Sequence, residues 1–257
     1  MEQFNPKDLE RLQKLRLIDD DFMSKCFEDN IECTELILSI ILERNDLKVQ
    51  KVQTQYKIKN LQGRSIILDI YATDKNGKKY NIEVQRSDKG AGAKRARYNS
   101  SLIDANITTA GDKYENISET YIIFITEKDA LGKNLPIYHI DRIIRETGEL
   151  FGDESHIIYV NGENTDNSPL GILMQDFKCT NPADMKYKQL AKRASYFKEN
   201  KEGVATMCKL LEDMRKEERI NIAKTMLKLN KLSIEEVAQC SNLTIQEVKD
   251  IEAELSK

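Results

Sequence analysis

The sequence has no Cys-x-x-Cys pair, no large charge of either sign, and no apolar run near the roughly 18 residues that span a bilayer. Its five cysteines (Cys26, Cys33, Cys179, Cys208 and Cys240) are scattered and odd in number. That excludes a zinc ribbon and a disulfide framework, and it suits a reducing compartment. The opening stretch MEQFNPKDLERLQKL lacks the apolar core of a signal peptide. A soluble, cytoplasmic protein with no membrane segment is therefore expected. The two histidines, His139 and His156, sit inside apolar strand-like runs (PIYHI and HIIYV). Such positions favour structural or incidental roles over ligation. Neither zinc nor a nucleotide cofactor is expected. Charged residues make up 32% of the 257, yet the net charge is only −3, so any basic site for nucleic acid has to be local.

What is present changes along the chain. NIECTELILSIILER, residues 30–44, has the spacing of an amphipathic helix capped by Asn30 or Asp29, with Leu36, Ile37, Ile40 and Ile41 as its buried stripe. Glu32 precedes Leu36 by one turn, so it is expected to point towards the rim of the core. Strands are expected at about 50–59, 64–73 and 78–86, then a helix over AGAKRARYNSSLIDANI. TYIIFIT has the form of a buried strand, and PIYHI and SHIIYVNG are weaker strand candidates. This order indicates an α/β domain with a mixed sheet. Past about residue 180 the chain becomes densely charged and helical, ending in two short helices with Ser233 and Thr244 as N-caps. The expected division is an α/β core at residues 1–180 and an all-α region at 181–257.

One stretch, LDIYATDKNGKKYNIEVQ, places a carboxylate in each strand of a hairpin: Asp69 and Glu83. A two-residue Asn76-Gly77 loop would put them on opposite faces. A three-residue Lys75-Asn76-Gly77 loop, with Gly77 left-handed, pairs them directly. Only the second register collects Leu68, Ile70, Ile82 and Val84 on one apolar face and Asp69, Glu83 and Gln85 on the other. Opposed carboxylates have Cβ atoms about 5 Å apart and repel. The hairpin alone fits either a solvated pair or a pair of ligands for a hard divalent cation. A calcium loop centred on Gly77 fails, because Ala72 would hold its first ligand position and strands flank it.

Downstream, RSDKGAGAKRAR carries five basic residues against one acid. Basic residues at a helix start oppose the macrodipole, a cost that a bound phosphate would offset. Arg86, Lys94, Arg95 and Arg97 are therefore candidates for DNA contact, with Tyr98 hydrogen-bonding or stacking beside them.

Asp69 followed by Glu83-Val84-Gln85, with an acidic helix before and a basic helix after, resembles the PD-(D/E)XK nuclease superfamily. The closer likeness is to its branch of PD-(D/E)XK nuclease family transposases and recombination-promoting nucleases. The resemblance covers about residues 18–160, carried by NIECTELILSIIL, GRSIILDIYATDKNGKKYNIEVQR, AKRARYNSSL and TYIIFIT. It implies a restriction-endonuclease-like α/β core, a mixed central sheet flanked by helices, with the all-α region appended. It also implies Asp69 and Glu83 as ligands of Mg²⁺ (Mn²⁺ as a substitute), Gln85 in the usual lysine position and Glu32 as a further acid near the metal. Leu68 stands where the motif name has proline. Glutamine cannot act as a cation or general base, so Gln85 can only orient the attacking water or hold the outer ligands of the metal.

The expectation is a metal-dependent DNA endonuclease that hydrolyses phosphodiester bonds, linked to transposition or recombination. A homodimer would supply the two sites that paired cuts need. The alternative is a catalytically weakened nuclease fold that binds nucleic acid or a protein partner. The tail SIEEVAQCSNLTIQEVKDI looks like a helix-turn-helix, but its second helix is acidic and would meet phosphates with repulsion. It is expected to be a small helical interaction module.

Overall fold

The computed structural model describes residues 4–86, 90–229 and 231–255. The chain divides into a larger unit, Lys14–Tyr196, and a smaller one that joins Met1–Gln13 to Phe197–Lys257. Helix α1 (Pro6–Lys14) opens the described chain. It is followed by α2 (Asp20–Phe27), α3 (Ile31–Ile41), β1 (Val49–Ile58), β2 (Ile66–Asp74), β3 (Lys79–Gln85), α4 (Ala93–Ile107), β4 (Thr120–Thr126), β5 (Ile137–Ile140), β6 (Ser155–Asn161) and α5 (Pro169–Lys178). After these come α6 (Lys188–Glu199), α7 (Lys201–Leu229), α8 (Ile234–Ser241) and α9 (Ile245–Leu255).

The larger unit is built on one sheet of order β1-β2-β3-β4-β6-β5. Strands β1, β2 and β3 form an antiparallel meander, β3, β4 and β6 run parallel, and β5 closes the edge antiparallel to β6. Ile122, Ile123, Phe124 and Ile125 of β4 are all fully buried, as a parallel strand covered on both faces requires. Helix α4 provides the crossover from β3 to β4. Its Ala96 and Ile103 pack with Leu68, Tyr71, Ile122, Phe124 and Tyr159.

The hairpin takes the register of the three-residue loop. Ile70 pairs with Ile82, Tyr71 with Asn81, Ala72 with Tyr80 and Thr73 with Lys79. Gly77 has φ +85°, and its N–H donates to the Asp74 carbonyl at 3.0 Å. The buried Asp74 side chain fixes the turn, accepting from Asn76 N at 2.8 Å, Lys78 N at 3.0 Å and the Tyr80 hydroxyl at 3.0 Å.

Helix α3 is capped by Asn30, which accepts from Cys33 N at 3.0 Å. Its buried stripe is Cys33, Thr34, Ile37, Leu38 and Ile41, with Leu36 and Ile40 only half-buried. The expected stripe is therefore rotated by part of a turn, because Cys33 and Thr34 take core positions that their modest hydrophobicity does not advertise.

The break expected near 180 falls inside the larger unit. The composition does change there, but the packing continues. Phe177 packs against Phe27 with tilted rings, centroids 6.3 Å apart, and its carbonyl accepts from Ile18 N at 3.1 Å. Arg193 donates to the carbonyls of Cys26, Lys25 and Glu28 at 3.1, 3.2 and 3.2 Å, satisfying the otherwise unpaired end of α2.

In the smaller unit, Ala223, Val237, Ala238, Val248 and Ile251 form a core with Leu243 packed against it. Ser233 and Glu236 make a reciprocal capping box, and Asn242 adopts the left-handed conformation between α8 and α9. Buried Asp8 of α1 holds Arg215 of α7 by two bonds, one of them 2.8 Å.

A Cβ at Gly77 would meet nothing within 4 Å, so substitution there tests the left-handed backbone alone. Gly77→Ala is expected to cost about 1–2 kcal/mol, read as a lower urea midpoint with an unchanged slope. A midpoint equal to wild type would show that the turn does not depend on its positive φ.

Candidate active site

Continuing the hairpin register by one pair beyond Ile70–Ile82 sets Asp69 opposite Glu83. Asp69 is 8% exposed and Glu83 fully buried. Asp69 Oδ2 accepts from Val84 N at 3.0 Å, which locks the side chain over β3. Glu83 Oε2 is paired with Arg95 Nη2 of α4, while Glu83 Oε1 is buried without a partner. Arg95 also donates to the Gly90 carbonyl at 3.0 Å, and its guanidinium lies 5.8 Å from the centroid of Phe124, the β4 neighbour of Glu83. Gln85 is half-buried at the end of β3. A Cβ on Gly90 would stand 2.0 Å from Gln85 Oε1, so this glycine leaves room for the glutamine amide.

Burial raises the pKa of Asp69, and the Glu83 charge raises it further, against the pull of the Val84 N–H. Glu83 is also raised by burial, with the Arg95 charge opposing. A third acid contributes to both shifts. It is Asp20, in the first turn of α2. Packing around the Asp20 carboxyl and the neighbouring Asp21 charge raise its own pKa, and Gln55 Nε2 donates to it at 3.1 Å. Gln55 lies in β1 between Thr54 and Tyr56, which pair with Ile70 and Leu68 on either side of Asp69. Its φ of +50° is unusual for a non-glycine residue within a strand.

Glu32 does not take the position expected of it. It is exposed on α3, because the buried stripe begins at Cys33 and turns Glu32 outward. Asp20 is the acid whose charge acts on the pair instead. Its sequence signal is the run Asp19-Asp20-Asp21 at a helix start, where the macrodipole favours acids.

The basic residues separate into two environments. Lys94 and Arg97 are exposed and line a groove of about 1180 Å³ together with Arg64, Arg95, Tyr98 and Asn99. Arg64, on the β1–β2 loop, is a groove cation that the sequence pattern did not single out. The Tyr98 hydroxyl is committed to the protein. It donates to the Arg64 carbonyl at 2.5 Å and accepts from Asn60 Nδ2 at 3.1 Å, tying that loop to α4. Arg86 lies 3.4 Å from Asp19 and 3.9 Å from Glu127, outside the set that lines the groove.

A mixed sheet that brings two acids together on one hairpin, under a basic helix, has the form of a PD-(D/E)XK nuclease core. The family model for PD-(D/E)XK nuclease family transposases matches residues 28–238, and the chain belongs to that family. No curated protein and no solved structure gives a match. Asp20 lies before the matched span. Among the described residues no helix is long and apolar enough to cross a membrane.

Nucleases of this superfamily generally use divalent metal ions. Among the described residues no group of three or more His, Cys, Asp or Glu forms a ready-made cage. The donors present nonetheless suit such an ion. Two carboxylates face each other, and one buried carboxylate oxygen has no partner. Mg²⁺ usually takes one or two carboxylates and completes its shell with water and phosphate oxygens.

A carboxyl whose pKa is raised by folding stabilises the folded state while protonated, and that contribution fades as pH rises through the folded value. Without added metal, the melting temperature is expected to fall as pH climbs above the ordinary carboxylate range. Asp69→Asn, which removes the mutual repulsion, should flatten this fall when the two proteins are compared by scanning fluorimetry. Parallel pH profiles would mean that the pair does not repel in the folded state.

Proposed function

We propose that this protein is a Mg²⁺-dependent DNA endonuclease whose site is built on Asp69, Glu83 and Gln85. The observation that carries the reading is the convergence of Asp69 and Glu83 on one buried face, with Glu83 Oε1 unpartnered. Family membership supports nuclease chemistry on a nucleic-acid substrate. A divalent ion held by Asp69 and Glu83 would supply positive charge to the scissile phosphodiester and make water acidic enough to attack it near neutral pH.

The chain's own residues then have distinct tasks. Asp69 is fixed by the Val84 N–H, so its free oxygen keeps one direction. Gln85 can donate and accept hydrogen bonds, which orients a water without taking its proton. Asp20 adds negative charge at the edge of the site, in the place first assigned to Glu32. Lys94, Arg97 and Arg64 hold backbone phosphates in the groove, and Tyr98 keeps the Arg64 loop in place. A second copy of the chain would provide the second site for paired cuts.

A catalytically weakened, binding-only fold is favoured by one feature, the Arg95–Glu83 ion pair, which satisfies the acid without a metal. Plasmid cleavage in Mg²⁺, with EDTA as control, separates the two readings. Cleavage is expected in Mg²⁺ alone, and Asp69→Ala should reduce it by about two to three orders of magnitude while DNA still binds, the scale for losing one group that stabilises the transition state. Binding without cleavage by the wild type would overturn the endonuclease reading in favour of the weakened fold.

The groove makes a separate prediction. Each phosphate contact on duplex DNA contributes about −0.9 to the log–log salt slope. Replacing both Lys94 and Arg97 by alanine should flatten the slope by about two units, equally for unrelated sequences. Fluorescence anisotropy in Ca²⁺ across a salt series measures this. An unchanged slope would make the groove a solvated face.

A further inference from the structure

Behind the carboxylate pair lies a set of buried polar atoms that the site described above does not use. Asn81 of β3 is fully buried and Asn99 of α4 is 1% exposed. The oxygen and nitrogen of both amides lack hydrogen-bond partners, as does Glu83 Oε1. Buried polar groups are rarely left this way, and each exception calls for a physical reason. Two complete amides and a carboxylate oxygen left this way form a pattern.

Their mutual position follows from two fixed points along α4. Near its start Arg95 contacts Glu83 and covers Phe124, and towards its end Asp104 Oδ1 accepts from the Thr120 hydroxyl at 3.3 Å. Across β3 and β4, Glu83 is level with Phe124 and Lys79 with Thr120. The step from Arg95 to Asp104 advances about 13.5 Å along a helix, and the step from Glu83 back to Lys79 covers about 13 Å along a strand. Helix and strand therefore run antiparallel and in step. Asn99, about 6 Å beyond Arg95, is therefore level with Asn81, about 6.6 Å behind Glu83. Strand alternation puts Asn81 on the same face as Glu83 and Gln85. Asn99 also borders the groove.

We propose that Asn81 and Asn99 are positioning residues for Glu83: a buried amide layer that, with ordered water, holds its inner oxygen and so fixes the direction in which the carboxylate meets a metal ion. This rests on the metal-dependent reading of Asp69 and Glu83. Such an arrangement suits the amide. It donates and accepts at once, whereas a second acid there would deepen the repulsion and a hydrocarbon would leave Oε1 without a donor. Burial raises the Glu83 pKa, and the Arg95 charge and nearby Asn81 amide pull it back. Asn81 is thus close enough to act on the carboxylate, although its amide completes no well-formed hydrogen bond there.

The proposal separates from a purely structural role by metal affinity, with the melting temperature as the control for folding. Asn81→Leu and Asn99→Leu keep roughly the side-chain volume and remove amides that have no protein partner. If the amides only fill space, the leucine variants keep or raise the metal-free melting temperature and bind metal as wild type does. If they position Glu83, the melting temperature behaves the same way but metal affinity falls, by about 10–100-fold on the scale for groups that orient a ligand. Mn²⁺ binding to the full chain without DNA, followed by the electron paramagnetic resonance of free Mn²⁺, gives the affinity. The expected result is that loss in both leucine variants, with affinity largely recovered in Asn99→Ser, which restores a donor and an acceptor.

Leucine variants that fold and bind Mn²⁺ like wild type, while Asp69→Ala does not, would overturn the proposal and leave the metal site standing. Equal Mn²⁺ binding by wild type and Asp69→Ala would instead remove the metal from the carboxylate pair, and this inference with it. Should Asn81→Leu fail to fold, the comparison of Asn99→Leu with Asn99→Ser decides the question alone.

Discussion

Two carboxylates held opposite one another inside a protein are the constraint around which the larger unit is arranged. At a separation of about 5 Å and an effective dielectric near 20, their repulsion is about 3 kcal/mol. Burial adds to that cost, and the raised pKa of each group records it. A fold of ordinary stability keeps such a pair only if the surroundings determine its geometry. Here Gly77 and the Asp74 side chain set the loop, the loop sets the register, and the register sets the pair. The hydrocarbon on the other side of the hairpin, Ile70, Ile82 and Val84, resists a slip, since shifting by one residue would exchange the buried and polar faces.

Arg95 offsets part of the charge, and its placement depends on topology. Because β3 and β4 run parallel, the chain must cross between them, and α4 is that crossover. The first turn of α4 therefore returns to the end of β3, where Glu83 and Gln85 emerge. A basic helix start is unfavourable on its own account. Next to two acids it is compensated, and the same turn of helix faces the groove with Lys94 and Arg97. One element thus serves both the buried acids and the exposed cations. That explains why Arg95, a candidate for DNA contact from the sequence, also pairs with Glu83.

The parts of this arrangement that were legible in the sequence are those set by local rules. Period-two alternation on both sides of an Asn-Gly turn has one register that sorts apolar from polar, and that register is the observed one. TYIIFIT spans the observed β4. The misassignments come from packing between distant segments. The spacing of Leu36 and Ile40 points Glu32 inward, but the core stripe is centred on Cys33, Ile37 and Ile41. Asp20 leaves no periodic signal because α2 is only eight residues long. Nothing in the local sequence shows that the Tyr98 hydroxyl meets the Asn60–Arg64 loop.

The smaller unit carries an element often associated with DNA, and its charge argues against that role. Helices α8 and α9 have the caps, the left-handed Asn242 between them and the packed Ala238 of a helix-turn-helix. The second helix, however, exposes Asp250, Glu252 and Glu254 against a single lysine, Lys249. Glu247 bonds the Thr244 N–H at 2.9 Å and so completes the start of α9 with an acid. A phosphate approaching that helix would meet its own sign of charge, and counterion release, the main source of non-specific affinity, would be lost. On the larger unit, by contrast, Arg64, Lys94, Arg95 and Arg97 line the α4 groove. If α9 meets a partner, complementary charge calls for a basic surface, and the half-exposed Ile245 and Leu255 give that contact apolar area at either end of the helix.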